Sequence, residues 1–170
     1  MSFPKTIPAF TVKIPITAPS AIGTAKSGSL NQVAFLVDHP GGGITTEPGY
    51  PIQLDAKWVH GSDFIRADPD GKHLRLSVNS VLQQRDDPSA MLSFSYTGII
   101  QLGGAADKVL SGAADAKTTD FGEVFSHHTF ETGHPSLRAL ESKVFVGAGH
   151  FVLEAGQPPV VEYKISEVTL

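Results

Sequence analysis

Cysteine is absent from the 170 residues. That excludes disulfides, thiolate nucleophiles and thiolate metal sites. Basic residues are few, with 13 Lys and Arg against 17 Asp and Glu and a formal net charge of −4. No run of the chain is rich in Lys or Arg. A phosphate backbone is bound by clustered cations, so no nucleic-acid partner is expected. Long apolar runs are also missing. The opening stretch MSFPKTIPAFTVKIPIT carries three prolines and no apolar core. It reads as neither a signal peptide nor a membrane span, and the expectation is a cytoplasmic protein with no membrane partner. Helical periodicity is lacking throughout. Charged residues reach only 18 %, whereas hydrophobic ones make up 41 %. That balance argues against global disorder and suits one domain, residues 1–170, with a proper core.

What is present is punctuation. Gly (17) and Pro (12) are spread along the chain between short alternating runs, the pattern of an all-β protein. Strands are expected near 9–17, 31–38, 51–60, 62–67, 73–84, 90–102, 121–132, 142–153 and 159–169. Residues 1–8 are expected as an N-terminal arm. The small, polar segment 104–120 is expected as a long, mobile loop. A short helical fragment is expected at Ser136–Leu140, after Pro135. Asp68-Pro69-Asp70-Gly71 predicts a tight turn, since Pro presets φ and Gly accepts a positive φ. So many antiparallel strands leave exposed edges unless the sheet closes. The expected fold is therefore a single antiparallel β-barrel, lipocalin-like or allene-oxide-cyclase-like, able to hold one small ligand.

Neighbouring strand residues point to opposite faces. Leu76 and Val78, with Phe94 and Tyr96, are expected inside, and Asn79 lies on the other face of its strand. Strand 121–132 sets Val124, Ser126, His128 and Phe130 against Phe121, Glu123, Phe125, His127, Thr129 and Glu131. Both sides are mixed, so the strand leaves its inner face undeclared. With the Val124 side inward, His128 would enter the barrel and could meet Tyr96, His150 and Tyr163. With the other side inward, His127 would enter beside Glu123 and Glu131. A carboxylate next to an imidazole is the minimal equipment for proton transfer. The flanking glutamates and phenylalanines favour His127 slightly. The plainer account of either histidine is a satisfied core or surface residue.

Other chemistries find less support. His127 with Glu131, or His128 with His150, could supply two metal ligands, but spacing places no third, so no metal is expected. Gly41–Gly43 lacks a following Lys-Ser/Thr and a helix, and reads as a turn rather than a phosphate loop. No Gly-x-Ser-x-Gly elbow occurs. Trp58 reads as a core anchor.

Phe130-Glu131-Thr132-Gly133 with Pro135, Val144 through Gly149, Val161 through Ile165, and Glu167-Val168 resemble the C-terminal half of domain-of-unknown-function family 3237. Gly61-Ser62-Asp63-Phe64, Pro69-Asp70-Gly71 and the strands ending at Thr97-Gly98 resemble it upstream, so the likeness spans roughly residues 30 to 168. It implies a compact antiparallel β-barrel and no settled activity. Bacterial members carry an aromatic residue, a Trp and an Asn where this chain has Leu137, Ala139 and Glu141. They also carry Asp and Arg at Ser77 and Asn79, and Arg at Phe125. PSLRALESKVFVGAGHF is closer to the fungal branch, which is associated with secondary-metabolite genes.

The resulting expectation is a cofactor-independent isomerase, cyclase or lyase that moves a proton on a small, apolar, carbonyl-bearing metabolite. His127, His128 and Glu131 are its candidate catalytic groups. Tyr96, Asn79, Glu123, His150 and Tyr163 are its candidate substrate contacts. The alternative is a non-catalytic barrel that carries lipophilic ligands. A homo-oligomer is expected, because mixed polarity on strand 121–132 suits a partner-covered face.

Overall fold

The structure, a computed structural model, describes residues 2–170. Among these residues the strands are β1 (Lys5–Pro15), β2 (Ser20–Ala25), β3 (Gly28–Ala34), β4 (Gly43–Thr46), β5 (Asp55–Ala67), β6 (His73–Gln84), β7 (Met91–Gln101), β8 (Val124–Glu131), β9 (Phe145–Val152) and β10 (Val160–Thr169). They pair in the order β2-β3-β5-β4-β1-β10-β9-β8-β7-β6, and β6 pairs back onto β5. The chain is thus a closed eight-stranded antiparallel barrel with two further strands, β2 and β3. The β2–β3 hairpin extends from the C-terminal half of β5, while β4 takes its N-terminal end. No described helix is long and apolar enough to cross a membrane.

Alternation explains most of the wall. In β8 every second residue is buried, from Val124 to Phe130. In β7 Leu92, Phe94 and Tyr96 are buried. Strand β5 breaks the rule once. Trp58 pairs with Leu82 and His60 with Val81, so Val59 is an extra residue. This bulge shifts the pleat by one position. Ala56 and Trp58 face inward before it, and Gly61, Asp63 and Ile65 after it.

Several expectations are corrected. Residues 5–8 are not an arm but the start of β1, paired with β10. The expected strands 51–60 and 62–67 are one strand bent at the bulge. Strands β2 and β4 were not expected: the first is wholly exposed and has no apolar face, and the second is four residues long. Segment 104–120 contains a helix, α1 (Ala105–Leu110), too short to announce itself by periodicity. The other helical turn is a 3₁₀ helix at Arg138–Ser142, two residues beyond the expected start.

The barrel interior is filled at one end. Phe10, Phe130 and Phe145 stack on one another with centroids 5.2–5.7 Å apart. Phe94 continues the stack to Trp58 at 5.9 Å, whose indole N–H donates to the Lys13 carbonyl. The opposite end, reached by the C-terminal ends of β1 and β7, is hollow.

The Asp68–Gly71 turn forms as expected. The Gly71 N–H donates to the Asp68 carbonyl, and Gly71 has φ 68° with nothing near a would-be Cβ. Gly71→Ala should destabilise by up to about 1 kcal/mol, read from the urea midpoint. A more stable variant would contradict the left-handed conformation.

Candidate functional site in the hollow half of the barrel

The hollow end encloses a cavity of about 370 Å³. Its wall is mainly aliphatic, with Ile14, Val33, Ile65, Leu76 and Ile100 among the lining residues. Three polar side chains interrupt it on the barrel wall: Asp63, Tyr96 and Tyr163. Asp63 and Tyr96 are both in register with Val78 and so share one layer. The two tyrosine rings meet edge to face at 5.2 Å.

Asp63 is only 7 % exposed. One carboxylate oxygen, Oδ1, accepts the Ser77 N–H at 2.9 Å. Among the described residues Oδ2 accepts no hydrogen bond and no cation pairs with the group. Burial pushes the carboxyl up to about 7, against the pull of the Ser77 N–H. Burial also drives the Tyr96 phenol far above its usual range, and the charges of Tyr163 and Asp63 add to the shift. Tyr163 is raised mainly by burial as well. At neutral pH the site therefore holds a carboxyl poised to take or give a proton. It also holds two phenols that stay protonated and can donate to an oxygen. Perturbed groups in a cleft are the expected mark of a functional site.

Histidine plays a different part from the one expected. His128, not His127, faces inward, and it is fully buried. Its ring lies below the cavity rather than on its wall, stacked on Phe94 at 5.3 Å and packed against Tyr96 and Tyr163. Nε2 shares a 2.7 Å hydrogen bond with the Ser126 hydroxyl, and Nδ1 has no partner. Burial, with a smaller push from His127, holds the imidazole down at about 3, so it is neutral. The ring fits because Gly147 faces it: a Cβ there would lie 2.5 Å from Nε2. Gly149 leaves room for Tyr163 in the same way.

His127, Glu131 and Asn79 lie on the outer face and are exposed. The slight preference for His127 inside is overturned by the burial of Val124, Ser126 and Phe130, which fixes the pleat the other way. Glu123 and His150 are also outside the cavity, yet both hold its cover. The α1 segment lies over the hollow end, with Val109, Leu110 and Ser111 on the cavity. The Glu123 carboxylate accepts the N–H groups of Ala105 and Ala106 at 3.0 and 2.6 Å, and so caps the helix from a distance. His150 Nδ1 donates to the Thr119 carbonyl at 2.8 Å, with Phe121 packed on its ring. Glu123→Ala should speed amide exchange over residues 103–120 and leave the barrel strands unchanged. Unaltered exchange would show that packing alone secures the cover.

Asp63 is the residue that sequence reasoning missed. Its signal was a lone acid between Gly61 and Ile65, concealed by the bulge. The carboxylates of Asp68 and Asp70 and a ring nitrogen of His73 converge within 4.8 Å on the surface. Arg75 occupies both oxygens of Asp68, so this cluster is an ion-paired turn rather than a metal centre.

A family model described as protein of unknown function (DUF3237) matches residues 4–168. The chain belongs to this family. Among curated proteins no sequence match was found. A conserved protein of unknown function from Rhodopseudomonas palustris superposes with a TM-score of 0.76 at 20 % identity, covering 99 % of this chain and all (100 %) of that one. A protein of unknown function from Clostridium acetobutylicum gives 0.69 at 16 %, covering 98 % and 100 %. A beta-barrel like protein from Acinetobacter baumannii gives 0.68 at 17 %, covering 99 % and 98 %. At these identities the likeness shows that this DUF3237 chain shares their fold, and nothing of its chemistry.

Proposed function

We propose that this DUF3237 chain is a cofactor-independent enzyme that moves a proton on a small, largely apolar carbonyl compound. The reaction class is isomerisation, cyclisation or elimination. The observation that carries the reading is the buried, unpaired Asp63 carboxylate beside two protonated phenols in an otherwise aliphatic cavity. Ionised Asp63 takes the proton from the carbon next to the carbonyl. The electron pair moves onto the carbonyl oxygen, which accepts a hydrogen bond from Tyr96 or Tyr163. The proton then returns to a different carbon, or a leaving group departs. Preorganised donors aimed at the developing oxyanion lower such a barrier. His128 is a positioning residue, holding both tyrosine rings in place.

The test is deuterium incorporation from heavy water into the α-positions of medium-chain ketones, followed by NMR. The rate should rise with pH through an apparent pKa of about 7 as Asp63 ionises. Asp63→Asn should lower it by about 10²–10⁴-fold, the usual share of a general base. The competing reading is a carrier, favoured by the mainly aliphatic wall. A carrier would bind the same ketones and leave their α-hydrogens in place.

A further inference from the structure

The hollow end of the barrel has a charge but no counter-charge. No Lys, Arg or His lines the cavity among the described residues, and Asp63 is its one carboxylate. The carboxyl and the phenols are also gathered at one depth, while the hydroxyls of Thr17 and Ser111 at the other end are engaged with the backbone of Ala34 and Lys108. Asp63 and Tyr96 are level with Val78, whereas Ile16, Ala18, Val109, Leu110 and Pro159 surround the opposite, solvent-facing end. Along β7, Tyr96 and Ile100 both line the cavity. Four residues of tilted strand separate them, a span of about 10 Å. The cavity is therefore a lipophilic sleeve with a hydrogen-bonding floor.

We propose that this sleeve takes an uncharged, chain-like lipophile that enters oxygen-first, and that it rejects carboxylates of the same length. The proposal deepens the proton-transfer reading and rests on it for the role of the floor. A ketone or aldehyde oxygen is an acceptor only, and the floor offers it the phenols of Tyr96 and Tyr163. A carboxylate entering the same way would meet Asp63 with no cation to pair either group, and burial of an unpaired charge is strongly unfavourable.

Methyl nonyl ketone and undecanoate, matched in length, separate these cases at about pH 8, where Asp63 is ionised. Calorimetry gives the affinities. Trp58, the one tryptophan of the chain, packs on the cavity residue Phe35 at 4.9 Å and reports occupancy by its fluorescence. The ketone should bind at least tenfold more tightly than undecanoate. Asp63→Asn should strengthen undecanoate binding at least tenfold, because the like charge is gone. Undecanoate binding as well as the ketone would overturn the proposal, and so would no binding by either. The outcomes also separate the two readings. Selective ketone binding without exchange of its α-hydrogens leaves the ligand class standing and removes the enzyme. Exchange with indiscriminate binding does the reverse.

Discussion

Asp63→Asn is expected to make the protein more stable above neutral pH while lowering the proposed proton transfer about 10²–10⁴-fold. Burial raises the carboxyl from 3.8 to about 7 in the folded chain. Below about pH 4 the group is protonated whether the chain is folded or not, and it exerts no penalty. Between about pH 4 and 7 the unfolded chain ionises first, so stability falls as the pH rises. Above about pH 7 both states are ionised and the penalty is complete. At 1.36 kcal/mol per unit, a shift of about three units amounts to about 4 kcal/mol. This is a ceiling, because the asparagine amide must itself be accommodated in the cavity. The Asn carbonyl can still accept the Ser77 N–H. Urea midpoints from pH 4 to 9 should therefore decline for the wild type and stay flatter for the variant. Parallel curves would mean that Asp63 is already solvated or paired.

Gly147→Ala should be a damaging conservative change beneath the cavity. The new methyl would stand 2.5 Å from His128 Nε2 and 3.0 Å from the Ser126 hydroxyl. The imidazole has nowhere to recoil, being held between Phe94, Tyr96 and Tyr163. Overpacking of this kind typically destabilises by about 1–3 kcal/mol. His128→Ala in the same chain should recover part of that loss, so the double variant should be less destabilised than the sum of the single changes. Exact additivity would remove the contact as the cause. His127→Ala, on the solvent side of the same strand, should stay within about 0.5 kcal/mol of the wild type. Thermal or urea unfolding of the wild type and the four variants decides each point.

The barrel itself was legible because strand chemistry is local. Alternation in β6 and β7 placed Leu76, Val78, Phe94 and Tyr96 inside, and the Pro-Asp-Gly turn carried its own geometry. The inner face of β8 was not legible. Its inward row includes the polar Ser126 and His128, while Phe125 stands 55 % exposed outside. Polarity therefore declares neither side, and only the neighbouring strands decide it. Asp63 was hidden for another reason. Continuing the Trp58 parity across β5 puts Asp63 in solvent, and one extra residue at Val59 turns it inward. Pleat parity beyond a bulge depends on the partner strand, which the local pattern does not reveal. Glu123 and His150 were noticed for their chemistry, but their partners lie 18 and 31 residues away in the chain. Spacing within one strand cannot supply such contacts.

The uneven filling of the barrel divides its labour. The stacked rings of Phe10, Phe94, Phe130 and Phe145 close one end without any side chain from the sleeve. Under the proposed function the ring stack serves folding alone, whereas the sleeve positions, which belong to the same buried core, serve both folding and molecular taste. Residues such as Ile65, Leu76 and Val161 can change bulk or shape while the ring stack stays in place, at a cost in stability set by their own burial. A barrel organised in this way can be refitted for a new small molecule a few side chains at a time, keeping its acid and its phenols while the walls are redrawn.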